Sequence, residues 1–135
     1  MPEYSLARLE EAARGWWRSL PPGSVVWLSG DLGAGKTTLV QALARAAGAE
    51  PARSPSFALV HQYAAPEGML VHVDCYRLKR PEEALDLDLA ALASRARLTV
   101  IEWPERAGPY APAPDLHLHL AHTEAPDRRA VERVV

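Results

Sequence analysis

Apolar residues recur along this chain in two periods, and the switches between them mark an alternation of helices and strands. Leu6, Leu9, Ala13, Trp16, Trp17 and Leu20 fall on one stripe of a helix expected over residues 5–20, with both tryptophans as core packing. Ser5 suits the N-cap, and Pro21-Pro22-Gly23 stops the helix. Residues 24–29, Ser-Val-Val-Trp-Leu-Ser, read as a short buried strand. Residues 38–47 are rich in helix formers and stop at Gly48. After a polar connector at 50–55, residues 57–63 and 69–74 read as two strands joined by a turn at 65–68. That turn is too short for a parallel crossover, so the pair forms an antiparallel hairpin. Pro81 opens a further helix, with Leu85, Leu89 and Leu92 on its apolar stripe and Asp86 and Asp88 outside it. Residues 98–102 form another buried strand, and 110–114 a proline-rich loop. Leu116, Leu118 and Leu120 alternate with His117 and His119, the mark of a strand with one solvated face. A last strand is expected within 130–135.

Between the first strand and its helix stands Gly30-Asp31-Leu32-Gly33-Ala34-Gly35-Lys36-Thr37, a complete G-x-x-x-x-G-K-[ST] phosphate-binding loop. Its glycines allow close backbone approach to a polyphosphate. Its N–H groups, continued by the first turn of the helix through Thr38, form an anion nest. Lys36 supplies a positive charge for the β/γ-phosphates, and the Thr37 hydroxyl is a hard oxygen ligand for Mg²⁺. The expected architecture is therefore a single domain over residues 1–135. It is a three-layer α/β P-loop NTPase fold with a mixed, mostly parallel sheet. The strand at 25–28 lies inside that sheet, and the hairpin and the C-terminal segment give antiparallel strands.

Such a site needs a further acid near Mg²⁺, usually at the C-terminal end of a buried strand. Asp74 and Glu102 each follow an apolar run. A carboxylate there can hold the metal, hold one of its waters, or orient the attacking water. Ser54-Pro55-Ser56-Phe57 lies where a nucleotide-sensing switch could sit, although its local sequence alone favours a turn leading into a strand. His72 and Asp74 project to one side of their strand, and Arg77 offers either phosphate charge or a surface ion pair. His117 and His119 share a face, but with His122 they complete no metal set. Cys75 reads as packing, not as a nucleophile.

Composition narrows the function classes. The 135 residues carry a net charge of −2, so no basic face is offered to nucleic acid. One cysteine permits no internal disulfide and fits a reducing cytosol. No signal peptide reads ahead of the first helix and no apolar run approaches membrane-spanning length, so a cytoplasmic protein is expected. The chain contains no Asn, which removes guanine recognition of the N-K-x-D type. A small-molecule kinase would need an acceptor site and a mobile lid, and no lid-like insertion follows the loop. A nucleotide-dependent binding module without significant hydrolysis remains the other alternative.

Four blocks in order resemble the TsaE family, the bacterial ATPases of tRNA threonylcarbamoyladenosine (t⁶A) biosynthesis: Gly30 to Thr38, Ser54-Pro55-Ser56-Phe57-Ala58-Leu59-Val60, His72-Val73-Asp74-Cys75-Tyr76-Arg77-Leu78, and Glu102-Trp103-Pro104-Glu105. The loop alone is generic, and the two later blocks make the match specific. The resemblance implies an ATP- and Mg²⁺-dependent enzyme in which Lys36, Asp74 and Glu102 are catalytic. Glu102 is then the Walker B-type acid that joins Thr37 on the metal. Gly30, Gly33, Ala34, Gly35, Lys36, Thr37, Thr38, Ser56, Trp103 and Glu105 are then the nucleotide-binding residues, with 54–57 as the switch. Ser56 stands where the family usually has Thr, and the hydroxyl is kept. The resemblance also implies partners: a TsaB–TsaD transferase pair that the nucleotide cycle resets, with tRNA met only through that complex.

Overall fold

The computed structural model describes residues 2–31, 34–49, 59–125 and 128–134. Among these, seven strands form one sheet in the order β1-β7-β6-β2-β5-β4-β3. They are β1 (Glu3–Ser5), β2 (Ser24–Ser29), β3 (Val60–Ala65), β4 (Gly68–Asp74), β5 (Leu98–Glu102), β6 (Leu116–His122) and β7 (Arg128–Arg133). The helices are α1 (Leu6–Ser19), α2 (Lys36–Ala47) and α3 (Leu89–Arg95), and 3₁₀ turns run over Pro81–Leu87 and Pro104–Tyr110.

The central strands β6, β2, β5 and β4 are parallel, and the outer pairings β3·β4, β6·β7 and β1·β7 are antiparallel. Parallel and antiparallel pairings are thus equal in number, three of each, which corrects the mostly parallel sheet. The hairpin adds only one antiparallel strand, because β4 itself runs parallel to β5. Tight connections make β3·β4 and β6·β7 antiparallel, β1 joins β7 from the opposite end of the chain, and the longer crossovers feed the centre.

Both faces of the sheet are covered. Leu9, Ala13 and Trp17 of α1 and Leu39, Val40 and Leu43 of α2 pack on Val26, Leu28, Leu98, Val100, Leu118 and Leu120. On the other face Val25, Val71, Val73 and Ile101 meet Leu78 from the segment after β4 and Ala84, Leu89, Ala93 and Ala107 from α3 and the 3₁₀ turns. Ser5 caps α1 as expected, its Oγ accepting from the Arg8 amide at 3.3 Å. Leu6, the first residue of α1, does not join the stripe and is 51% exposed. The expected helix from Pro81 breaks in two at Asp88, which takes a left-handed conformation (φ 46) and caps α3 through Oδ1 to the Ala91 amide. The register is lost at that break, so Leu89 is buried whereas Leu85 is exposed. The last strand begins two residues earlier than expected, at Arg128, and the hairpin's first strand runs on to Ala65. No helix among the described residues is long and apolar enough to cross a membrane.

Candidate functional site

All four central strands end at the same edge of the sheet, the place where α/β proteins of this layout bind ligands. The chain leaves β2 at that edge and turns through the glycine-rich loop into α2. Gly30 sits at φ 133, and a Cβ there would lie 2.1 Å from the Leu120 carbonyl oxygen, so the loop's entry presses directly on the β6 backbone. Gly35 (φ 104) is the N-cap of α2, and a Cβ there would lie 2.9 Å from the Arg129 side chain. Only glycine satisfies both the dihedral and the space at these positions.

Lys36 is the first residue of α2 and only 5% exposed. Its ammonium donates to the Gly30 carbonyl and, at 2.9 Å, to the Asp31 carbonyl. The Trp103 ring lies 4.8 Å from it. Burial pulls its pKa below the usual lysine value, against the opposing pull of Glu102, Asp31, Asp74 and Glu105. Glu102 ends β5 beside Asp74, which ends β4 in register with it. Glu102 is buried (5% exposed), and its Oε2 accepts from His72 Nε2 at 2.5 Å. Asp74 is half-buried, and its Oδ1 accepts from the Tyr76 amide at 3.0 Å.

These groups face a cleft of about 200 Å³. Gly35, Lys36, Thr37 and Thr38 form one side and Asp74 and Glu102 another, so the expected loop residues and both expected acids come together. Trp103 also lines the cleft. It holds a left-handed backbone (φ 54), rare for so bulky a residue, with Tyr76 5.1 Å away and the Arg106 guanidinium 5.5 Å away. Tyr76 and Arg129 complete the walls.

Ala34 is buried beneath the loop, and Glu105 is exposed one residue past Pro104, where it acts on Lys36 through its field. Gly33 and Ser56, with the whole 54–57 segment, lie outside the described residues. Arg77 is exposed, whereas Arg106 sits 4.7 Å over the Tyr76 ring. Cys75 is fully buried, and desolvation, reinforced by Asp74, Glu105 and Glu102, pushes its thiol up to about 12, which removes it as a nucleophile. The solvated face expected for β6 is half-buried instead. His117 Nε2 and His119 Nδ1 both bond Ser29 Oγ, at 2.9 and 3.1 Å.

Sequence reasoning assigned no part to Arg129, to the His72–Glu102 bond or to Ser29. Arg129 reaches the cleft because β7 folds back along β6. Chemically, a buried ammonium, backbone amides at a helix start, a threonine hydroxyl and two strand-end carboxylates match a polyphosphate and a hard divalent cation.

An α/β protein with this loop and these strand-end acids belongs to a recognisable class, and comparison with known proteins resolves it further. Residues 4–131 match the family model described as "Threonylcarbamoyl adenosine biosynthesis protein TsaE". Proteins named "tRNA threonylcarbamoyladenosine biosynthesis protein TsaE" are 40% identical in Nostoc sp. (83% of this chain, 71% of that one), 36% in Rickettsia bellii (80% and 76%) and 32% in Haemophilus influenzae (82% and 69%). The chain belongs to the TsaE family of t⁶A biosynthesis. The crystal structure of Bacillus subtilis YdiB shares the fold, with a TM-score of 0.72 over 98% of this chain and 83% of that one at 22% identity.

Proposed function

We propose that this chain is a Mg²⁺-dependent ATPase of the P-loop class that serves t⁶A37 formation in the cytoplasm by cycling a TsaB–TsaD-type transferase pair. The observation that carries the reading is the convergence of buried Lys36 and Glu102, half-buried Asp74 and exposed Thr37 on one cleft at the end of the parallel strands. A polyphosphate gives the Lys36 ammonium charged acceptors in place of two carbonyls. The amides at the start of α2 cradle the phosphates. Thr37 and Glu102 hold Mg²⁺, and Asp74 holds a water, either the metal's or the attacking one. Bound Mg²⁺ supplies charge neutralisation on the phosphoryl oxygens. Trp103 packs beside the nucleotide, and Ser56 with the 54–57 segment senses the γ-phosphate and docks the partner pair. Contact with tRNA passes through that pair, since the chain carries a net charge of −2.

Product analysis of the purified chain with ATP and Mg²⁺ tests the reading. ADP and phosphate, with Asp74→Ala binding ATP normally but hydrolysing it about 10–100-fold more slowly, supports it. A phosphorylated small molecule means a kinase, bound but uncleaved ATP means a binding module, and no ATP binding removes the nucleotide assignment. Co-elution with a TsaB–TsaD pair, tighter with a non-hydrolysable ATP analogue than with ADP, tests the partner. Equal affinities would remove the switch.

A further inference from the structure

His72 and Glu102 are 30 residues apart in sequence, on neighbouring strands β4 and β5, and meet at 2.5 Å, with Glu102 lining the cleft and His72 outside its lining. Their exposures are 9% and 5%. An ionised carboxylate only accepts, so His72 Nε2 carries the hydrogen and donates it to Oε2. The imidazole is itself held. His61, its cross-strand partner on β3, stacks against it with ring centres 5.8 Å apart and planes at 26°.

A glutamate side chain has three torsions, and the terminal one is broad, so a strand-end carboxylate is not aimed by its backbone alone. A bond to one oxygen fixes the carboxyl plane and therefore the direction of the other oxygen. Lys36 makes that aim consequential. Glu102 is the largest charge acting on the Lys36 ammonium, yet among the described residues the two form no ion pair. A carboxylate released from His72 would be free to swing onto that ammonium, and one contact would then take away both the phosphate's cation and the metal's ligand.

We propose that His72 is a positioning residue: its Nε2–H bond aims Glu102 for the divalent cation and keeps it off Lys36. This rests on the reading of Glu102 as the metal's acid. The test separates metal affinity from nucleotide affinity. Mn²⁺ binding is followed by electron paramagnetic resonance with a non-hydrolysable ATP analogue, and analogue binding is measured separately in EDTA.

His72→Leu is expected to weaken Mn²⁺ by about 10–100-fold while metal-free analogue affinity stays within about twofold. His72→Gln, whose amide nitrogen stands where Nε2 stood, recovers most of the loss, and His72→Asn, whose nitrogen falls at the Nδ1 position, does not. Wild-type Mn²⁺ affinity in His72→Leu overturns the inference. So does a His72→Gln protein no better than His72→Asn, a comparison that decides the matter if His72→Leu fails to fold. Glu102→Ala is the control. If it loses Mn²⁺ while His72→Leu does not, only the role of His72 falls. If it keeps Mn²⁺, the reading of Glu102 falls and takes this inference with it.

Discussion

The glycine-rich loop leaves the sheet between two polar strand ends that use histidine in opposite ways. On one side, the ends of β4 and β5 carry Asp74 and Glu102, and His72 donates to a carboxylate. On the other, the end of β2 carries Ser29, which meets His117 and His119 from the first half of β6, and both imidazoles share its hydroxyl. In the first, the imidazole bonds a charged group, the Glu102 carboxylate. The second has no carboxylate partner among the described residues, and burial together with the neighbouring His119 lowers the His117 pKa. An imidazole's role is therefore set by what its ring nitrogens meet, and residue type and strand position alone do not give it. Under the proposed function the β4–β5 end serves chemistry, and the β2–β6 end seats the loop.

Lys36→Ala gives the largest effect. Removing the phosphate's counter-charge is expected to lower ATP turnover by about 10²–10³-fold. Stability should fall little, because a desolvated ammonium is removed along with its hydrogen bonds to Gly30 and Asp31. Single-turnover hydrolysis and thermal melts read the two quantities. A protein that hydrolyses ATP normally would break the assignment of this end to chemistry.

Next in size is Gly30→Ala, which acts on the other end. The new Cβ meets the Leu120 carbonyl at 2.1 Å in a backbone region closed to side chains. Strain and overlap together are expected to cost about 2–4 kcal/mol in urea denaturation. Wild-type stability would show that the loop's entry does not rest on β6.

Much of this was legible in the sequence, for physical reasons. The loop motif is contiguous, and Asp74 and Glu102 each close an apolar run, so pattern alone placed them at strand ends. The hairpin followed from the shortness of its turn. What escaped depends on tertiary contact. β1 is three residues long and exists by pairing with β7, at the far end of the chain. His72 and Glu102 are joined only by the register of β4 on β5, and Ser29 meets its histidines across 88 and 90 residues. Leu85 fitted a helical stripe, but the stripe assumed a continuous helix where Asp88 breaks it.

Ser29→Ala sharpens the comparison at a smaller scale. It leaves two half-buried imidazoles without the hydroxyl they share, a loss of about 1–2 kcal/mol. Turnover should change far less than in Lys36→Ala, since no carboxylate or ammonium of the cleft bonds to Ser29 among the described residues. Denaturation midpoints and hydrolysis rates measured on one preparation decide it. Turnover that collapses while stability holds would assign the β2–β6 end to chemistry as well.

The smallest effect is a pH dependence, and its sign follows from His117. Burial, the first cause, and the charge of His119 lower its pKa below 6.5, while Glu105 pulls weakly the other way. Trp27 packs edge-on against the ring at 5.6 Å and offers it no charge. The unfolded chain therefore takes up the proton more readily than the folded one. Stability from this group is complete above about pH 6.5 and is lost as pH falls through the folded-state value, with no further loss below it. A fall in melting temperature is expected across that window. His117→Gln keeps a nitrogen at the Nε2 position for Ser29 but does not titrate, so this part of the slope should vanish while the neutral-pH stability stays near wild type. Melting curves from pH 7.5 to 5 in both proteins provide the measurement. Identical slopes would mean that His117 is not what separates the two strand ends electrostatically.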